Sequence, residues 1–255
     1  MNFNFDPKAN IDLSGRVAIV TGAAQGQGLV TAAIFLAFGA RVIMTDRDIE
    51  RGENAAAELG DESHFIPLNV ASETEWTNCV QEATRLTGEA PTILVNNAGV
   101  YKPRPISEET EENFQFHMSV NAYGALLGTQ AVLGGMAAAR RGSIVNISSI
   151  ASTGGFKNIA SYTASKWAVR GLTKASAKEL GHLGIRVNCV IPGLIETAMS
   201  TNNSNETNAA YIEQMPLGRI GQSEEVGRMS AFLASDLASF ITGADVVIDG
   251  GQTLS

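Results

Sequence analysis

The run Ser161-Tyr162-Thr163-Ala164-Ser165-Lys166 sets a phenol and an ammonium four residues apart, and on a helix that spacing puts them on one face. A phenol with a pKa near 10 is a poor base at neutral pH. Lowering it by about 3 units requires roughly 4 kcal/mol. One ammonium at about 4 Å in a partly buried site supplies about that amount. A Tyr-x-x-x-Lys pair by itself is common and usually structural. Here it opens a helix that follows a strand ending in Ser148-Ser149. That puts a hydroxyl at the carboxyl edge of the sheet, where open α/β sheets bind ligands. Such a hydroxyl can hold a substrate oxygen and stabilise charge that develops on it. The three groups together suit removal of an alcohol's proton as a hydride leaves its carbon.

These side chains need a scaffold that gathers them. Short β-branched runs, apolar on both faces, recur along the chain: VAIV (17–20), RVIM (41–44), HFIPL (64–68), TILV (92–95), SIVNIS (143–148), RVNCVI (186–191) and DVVID (245–249). Such runs fit strands buried between two layers of helices. Helix-like segments fill the intervals at 27–39, 48–59, 73–88, 108–139, 161–182 and 223–235; in the last, Val226, Met229, Phe232 and Leu233 share one face. The alternation predicts one doubly wound α/β domain over residues 1–255, with a seven-stranded parallel sheet and helices on both faces. The stretch 197–215 is rich in Asn, Ser and Thr and is expected to act as a lid over the ligands.

Strand one runs into a turn whose glycines are Gly22, Gly26 and Gly28. A tight turn needs glycine, as does close approach of the backbone to a pyrophosphate. The following helix then offers its N-terminal N–H groups to the anion. Asp46 stands near the end of strand two, 24 residues past Gly22. In this topology a carboxylate there accepts from both hydroxyls of an adenosine ribose. The same residue would suit a helix N-cap. A 2′-phosphate beside it would be repelled by about 4 kcal/mol per charge pair at about 4 Å and an effective dielectric of about 20, less where solvated. Arg47 next to it softens the repulsion. The expected cofactor is NAD.

TGAAQGQG (21–28), Asp46, NNAG (96–99), Asn121, Ser149, Tyr162-x-x-x-Lys166 and Pro192-Gly193 together resemble the short-chain dehydrogenase/reductase family, in order from Leu13 to Gly251. The resemblance implies a Rossmann-type domain and hydride transfer between a nicotinamide cofactor and a secondary alcohol or its ketone. It is nearest in kind to the alcohol and hydroxysteroid dehydrogenases. It implies Tyr162 as general acid/base and Lys166 as the group that binds the nicotinamide ribose and lowers the tyrosine pKa. Ser149, rather than Ser148, matches the family spacing of thirteen to the tyrosine. Asn121 would hold a water that links Lys166 to a proton relay.

Cofactor contacts follow from the same resemblance. Gln25 and Gln27 lie in the glycine turn, and Arg47 lies beside Asp46. Asn69 and Val70 match the adenine position, and Asn96, Ala98 and Gly99 the adenosine side. Pro192, Gly193, Ile195 and Thr197 match the motif that holds the carboxamide. Two positions depart from the pattern: Asn69, where the family more often has Asp, and Gln27, where an aliphatic residue is usual. Relatives are mostly tetramers, so a homotetramer built across 108–139 and 161–182 is expected.

Residues adjoining the catalytic elements should surround the reacting carbon: Tyr101, Ile150, Ala151, Phe156, Leu194 and Met199. Most are apolar. Without a cation such a site leaves a carboxylate or phosphate unpaired, which is costly, although Lys102 and Arg104 stand nearby in sequence. The expected substrate is a hydrophobic secondary alcohol or ketone, aromatic, alicyclic or steroid-like. A net charge of −8 argues against nucleic-acid and anionic-membrane partners. Cys79 and Cys189 read as reduced buried thiols of a cytoplasmic protein, and MNFNFDPKAN lacks the features of a signal peptide. His64, His117 and His182 lack metal-ligand spacing, so no metal is expected; His117 and His182 are expected on helix surfaces or near ends. Trp76 and Trp167 are expected to serve packing. Two rival functions remain. An NADPH-dependent reductase of acyl-carrier-protein thioesters usually carries a basic residue where Gln25 stands and no acid at position 46. A non-catalytic dinucleotide-binding regulator need not keep Ser, Tyr, Lys and Asn together.

Overall fold

The computed structural model describes residues 10–197, 212–213 and 215–254. Met199 and most of the expected lid lie outside the described residues. Seven parallel strands form one sheet: β1 (Val17–Thr21), β2 (Arg41–Asp46), β3 (Ser63–Pro67), β4 (Ile93–Asn96), β5 (Gly142–Ile147), β6 (Ile185–Pro192) and β7 (Asp245–Ile248). Their order is β3-β2-β1-β4-β5-β6-β7. The order reverses between β1 and β4, and a crevice opens beyond the carboxyl ends of the strands at that point.

The helices that cover the sheet are α1 (Gly26–Ala37), α2 (Ile49–Leu59), α3 (Glu73–Thr87), α4 (Glu111–His117), α5 (Gly124–Ala139), α6 (Ala160–Leu180) and α7 (Ser223–Ala234). Strand side chains alternate between two cores. Ala18, Val20, Val42, Met44, Val95 and Val145 pack toward α1, α2 and α7. Val17, Ile19, Ile43, Leu94 and Ile144 pack toward α3, α5 and α6. Both faces of the sheet are therefore covered, which accounts for the unbroken apolar runs. Among the described residues no helix is long and apolar enough to cross a membrane.

The expected helix 108–139 is not one helix. A 3₁₀ turn (Ile106–Glu108) and α4 precede a π-helical stretch, Met118–Tyr123, which carries Asn121 and leads into α5. Single-turn π segments recur at functional positions. His117, expected on a helix surface or near an end, is the last residue of α4 and is fully buried. Its Nε2 accepts from the Lys102 N–H at 3.1 Å, which leaves Nδ1 to donate to the Asn113 carbonyl at 2.8 Å. Trp76 packs in the core as expected, whereas Trp167 is about half exposed, with the Arg170 guanidinium 5.2 Å from its ring centre. Cys79 and Cys189 are both buried free thiols.

Candidate active site

A cleft of about 440 Å³ runs along the carboxyl edge of the sheet from Asp46 to Phe156. The glycine turn forms its floor. A Cβ on Gly28 would lie 2.1 Å from the Gly22 carbonyl oxygen, so only glycine lets α1 start this close to the strand end. Gly26 also lines the cleft. Gln25 is the N-cap of α1 but its side chain does not cap the helix. Its Oε1 accepts instead from the Arg51 guanidinium. The positive end of α1 thus stays open toward the cleft, and a pyrophosphate suits it.

Asp46 and Arg47 line the far end. Asp46 Oδ2 accepts from the Ala24 N–H at 3.2 Å. Its Oδ1 accepts from the N–H groups of Arg47 at 2.7 Å and Asp48 at 3.2 Å. It is not a helix cap; Asp48 caps α2 by accepting from the Arg51 N–H. Asn69 and Val70 border the same end. The Asn69 side chain closes a local turn onto the Ala71 N–H at 3.2 Å, and the Val70 carbonyl accepts from Trp76 Nε1 at 3.0 Å.

Ala98 and Gly99 line the cleft but Asn96 does not; its neighbour Asn97 does. Strand alternation turns Asn96 toward α5, where it donates to the Ala125 carbonyl and to Asn146 Oδ1 at 2.8 Å. Asn97 turns the other way and donates to the Thr21 and Gly22 carbonyls at 2.8 and 3.2 Å. Its Oδ1 accepts from Gln27 Nε2 at 3.0 Å. The unusual Gln27 thereby ties the glycine turn to the loop after β4. An aliphatic residue there would remove this partner of Asn97 Oδ1.

Pro192, Gly193, Ile195 and Thr197 form the opposite wall, with Leu194 between them. Gln252, from the C-terminal segment, joins this wall and accepts from the Leu194 N–H at 3.4 Å. No motif marks Gln252; the Gly250-Gly251 pair, both with positive φ, turns the tail back over the cleft. Ile159, which follows the substrate-side loop and precedes α6, is a second lining residue that sequence reasoning missed.

The inner end gathers Ser149, Tyr162 and Lys166, with Asn121 packed just behind them. Ser148 faces α6 and donates to the Lys166 carbonyl at 2.9 Å. Both serines line the cleft, but the Ser149 hydroxyl is not tied to α6; its Oγ accepts from the Ala151 N–H at 3.2 Å. The Tyr162 ring stands edge-on to Tyr101 at 5.1 Å and to His117 at 6.2 Å. Lys166 Nζ donates to the Ile147 carbonyl at 2.9 Å and lies 5.7 Å from the Tyr162 ring centre. Asn121 donates to the Val100 carbonyl and to Ser165 Oγ, and accepts from the Val100 N–H at 2.7 Å. Both its amide hydrogens are used, so its side chain can offer a water only the remaining lone pair of Oδ1.

The electrostatics differ from the expectation that lysine lowers the tyrosine pKa. Burial pushes the Tyr162 phenol up to about 12, and a hydrogen bond from Ser149 pulls only partly the other way. Burial likewise brings Lys166 down to about 8. Loss of water disfavours both charged forms. At neutral pH the phenol is a proton donor beside a still-charged lysine.

Ile150, Ala151, Phe156, Leu194 and Tyr101 also line the cleft. Lys102 and Arg104 are not among its described lining residues.

The family model described as Enoyl-(Acyl carrier protein) reductase matches residues 22–253. A 3-alpha-(or 20-beta)-hydroxysteroid dehydrogenase of Mycobacterium tuberculosis is 41% identical over 239 residues, 94% of this chain and 90% of the relative. A cyclopentanol dehydrogenase of Comamonas sp. is 38% identical over 250 residues, 94% and 98% of the two chains. A trans-4-hydroxycyclohexanecarboxylate dehydrogenase of Sinomonas cyclohexanicum is 38% identical over 247 residues, 93% of each. A crystal structure from Agrobacterium tumefaciens, provisionally named a gluconate dehydrogenase, superposes with a TM-score of 0.92 at 28% identity, covering 96% of this chain and 98% of that one. With its parallel sheet, glycine turn and Ser-Tyr-Lys cleft, the chain belongs to the short-chain dehydrogenase/reductase family, whose members work with a nicotinamide dinucleotide.

Proposed function

We propose that this chain is an NAD-dependent dehydrogenase that interconverts a hydrophobic, alicyclic or steroid-like secondary alcohol and its ketone. The observation that carries the reading is the buried Tyr162 phenol, which lines one cleft with Ser149 and has Lys166 Nζ 5.7 Å from its ring centre, the cleft beginning at a glycine turn and Asp46. A bound nicotinamide supplies the hydride acceptor or donor at the substrate carbon. The glycine turn and the open end of α1 would hold the pyrophosphate, with Asp46 at the adenosine ribose and Lys166 at the nicotinamide ribose. Ser149 orients the substrate oxygen. Tyr162 gives its proton to the ketone oxygen in reduction and is reprotonated from solvent; in oxidation its phenolate takes the alcohol's proton and passes it to solvent, so one proton is consumed or released per turnover.

Substrate choice follows from the lining. Phe156, Ile150, Ala151 and Leu194 offer apolar contact, and a charged group beside them would lack a partner. Three relatives bear names of ring alcohols, which supports an alicyclic skeleton. The test compares kcat/KM for cyclic ketones, matched keto acids and sugar-derived ketones. We expect cyclic uncharged ketones to lead by at least about tenfold, the value of one or two methylene-sized contacts. Better turnover of keto acids or sugars would overturn this reading of the pocket.

We also propose a homotetramer. Met118, Ala122, Tyr123 and Leu126 form a shallow groove with Ala168 and Leu172 of α6. Such apolar lining suits contact with a second copy. Light scattering should give a tetramer, and a monomer at micromolar concentration would rule it out.

A further inference from the structure

We propose that Glu109 is a positioning residue for the general acid/base: its carboxylate anchors the first turn of α6 through Ser161 and so fixes the Tyr162 hydroxyl against Ser149. The inference rests on the reading of Tyr162 as acid/base. Helix α6 starts without a side-chain cap, since its N-cap is Ile159. Glu109 comes from a different part of the chain, next to the 3₁₀ turn before α4, and reaches this end. Its Oε2 accepts from Ser161 Oγ, and Ser161 is almost fully buried. Its Oε1 accepts from Asn113 Nδ2 at 2.7 Å and from the Thr110 N–H at 3.0 Å. A negative charge at a helix N-terminus is itself favourable. The Ser161 bond first, then those of Asn113 and Thr110, holds the Glu109 carboxyl down at about 2, so it is charged throughout the working range.

The anchor is linked through hydrogen bonds to His117, one of the rings packed against the phenol. Asn113 Nδ2 also reaches the Lys102 carbonyl at 3.3 Å, and the Lys102 N–H donates to His117. The Arg104 N–H donates to the Asn158 carbonyl at 2.7 Å, two residues before α6. Among the described residues, four groups face Tyr162: Tyr101, His117, Lys166 and Ser149. Loosening the first turn would move the phenol relative to all four, and a shift of about 1 Å at a reacting group can cost about a hundredfold.

The test uses Glu109→Ala, Glu109→Gln, Ser161→Ala and the double variant Glu109→Ala/Ser161→Ala, with Tyr162→Phe as reference. Glu109→Ala should lower kcat by about tenfold while the cofactor KM stays within about twofold. Ser161→Ala cuts the same link from the other side and should lower kcat by about fivefold. Glutamine keeps the shape and can still bond Asn113 and Ser161, so Glu109→Gln should recover kcat to within about threefold of wild type. The double variant should be no slower than Glu109→Ala, because both changes cut one link. The rise of alcohol oxidation with pH should move to higher pH in Glu109→Ala, since the Ser149 bond that pulls the phenol down is weakened. If Glu109→Ala does not fold, Ser161→Ala and Glu109→Gln carry the test. Wild-type kcat in Glu109→Ala beside an inactive Tyr162→Phe overturns the proposal, as do additive losses with an unmoved pH profile. Activity retained in Tyr162→Phe overturns instead the assignment on which it rests.

Discussion

Replacement of Tyr162 by Phe should lower kcat by about a thousandfold, within the range general acid–base catalysis supplies, while NAD binds with near-normal affinity. The phenyl ring keeps its edge-on contacts with Tyr101 and His117, so the pocket keeps its shape. Only the transferable proton and its bond with Ser149 are lost. The pH dependence of the wild type carries the same argument with a definite sign. Burial holds the phenol protonated up to about 12. The acid form therefore dominates at neutral pH, and ketone reduction should be nearly flat from about pH 6 to about pH 7, below both the phenol and the Lys166 ammonium, which burial brings down to about 8. Alcohol oxidation needs the phenolate, a minor form there, so its kcat/KM should climb with pH across that window. Stopped assays in both directions, with NAD affinity read separately by calorimetry, check both statements. A Tyr162→Phe variant that keeps more than about a tenth of kcat would refute the assignment.

Much of this site is legible in the sequence because its parts sit at strand ends, where period and position coincide. The glycine turn follows β1, Asp46 ends β2 and Ser149 stands two residues past β5. What is not legible depends on which way a side chain turns. Asn96 and Asn97 are identical in type and adjacent, and strand alternation sends one to α5 and the other to the cleft. Ser148 and Ser149 pose the same problem. There both residues line the cleft, and the spacing to Tyr162 selects the one whose hydroxyl is not spent on α6. His117 does lie at a helix end, the last residue of α4, but not on a surface. The π-helical stretch after it and the bond from Lys102 bury it instead. Glu109 and Gln252 carry no motif at all, since each matters through a contact with a segment far away in sequence. The tyrosine pKa escapes the sequence for a different reason. The spacing to Lys166 reveals the ammonium's attraction, but not the water that both groups lose on burial.

Wild-type enzyme should have a higher kcat/KM with NAD than with NADP, and Asp46→Asn should narrow the ratio by about ten- to a hundredfold. The upper bound is set by Coulomb repulsion between a carboxylate and a 2′-phosphate, about 4 kcal/mol at about 4 Å and an effective dielectric of about 20. Asp46 is partly exposed, so water and salt reduce that figure. Asparagine is the informative replacement because it removes charge but keeps an oxygen. Its Oδ1 can still accept from the Arg47 and Asp48 N–H groups, which hold the residue in place. The Ala24 N–H loses a partner, and that loss falls equally on both cofactors, so it cancels in the ratio. Two cations make the swing larger than charge removal alone. Arg47 lines the cleft beside Asp46, and Arg51 lies on the neighbouring Gln25 side chain, with Asp48 3.5 Å from its Nε. With Asp46 neutral, the field of both cations at a phosphate dianion is no longer opposed by its charge, while Arg51 keeps its partner Asp48. Arg51→Ala in the Asp46→Asn background should therefore lower NADP turnover while leaving that with NAD within about twofold. The wild-type preference for NAD should shrink as ionic strength rises if screened charge is the cause. A wild type that works better with NADP, or an Asp46→Asn ratio unchanged within error, would show that this carboxylate does not set cofactor choice.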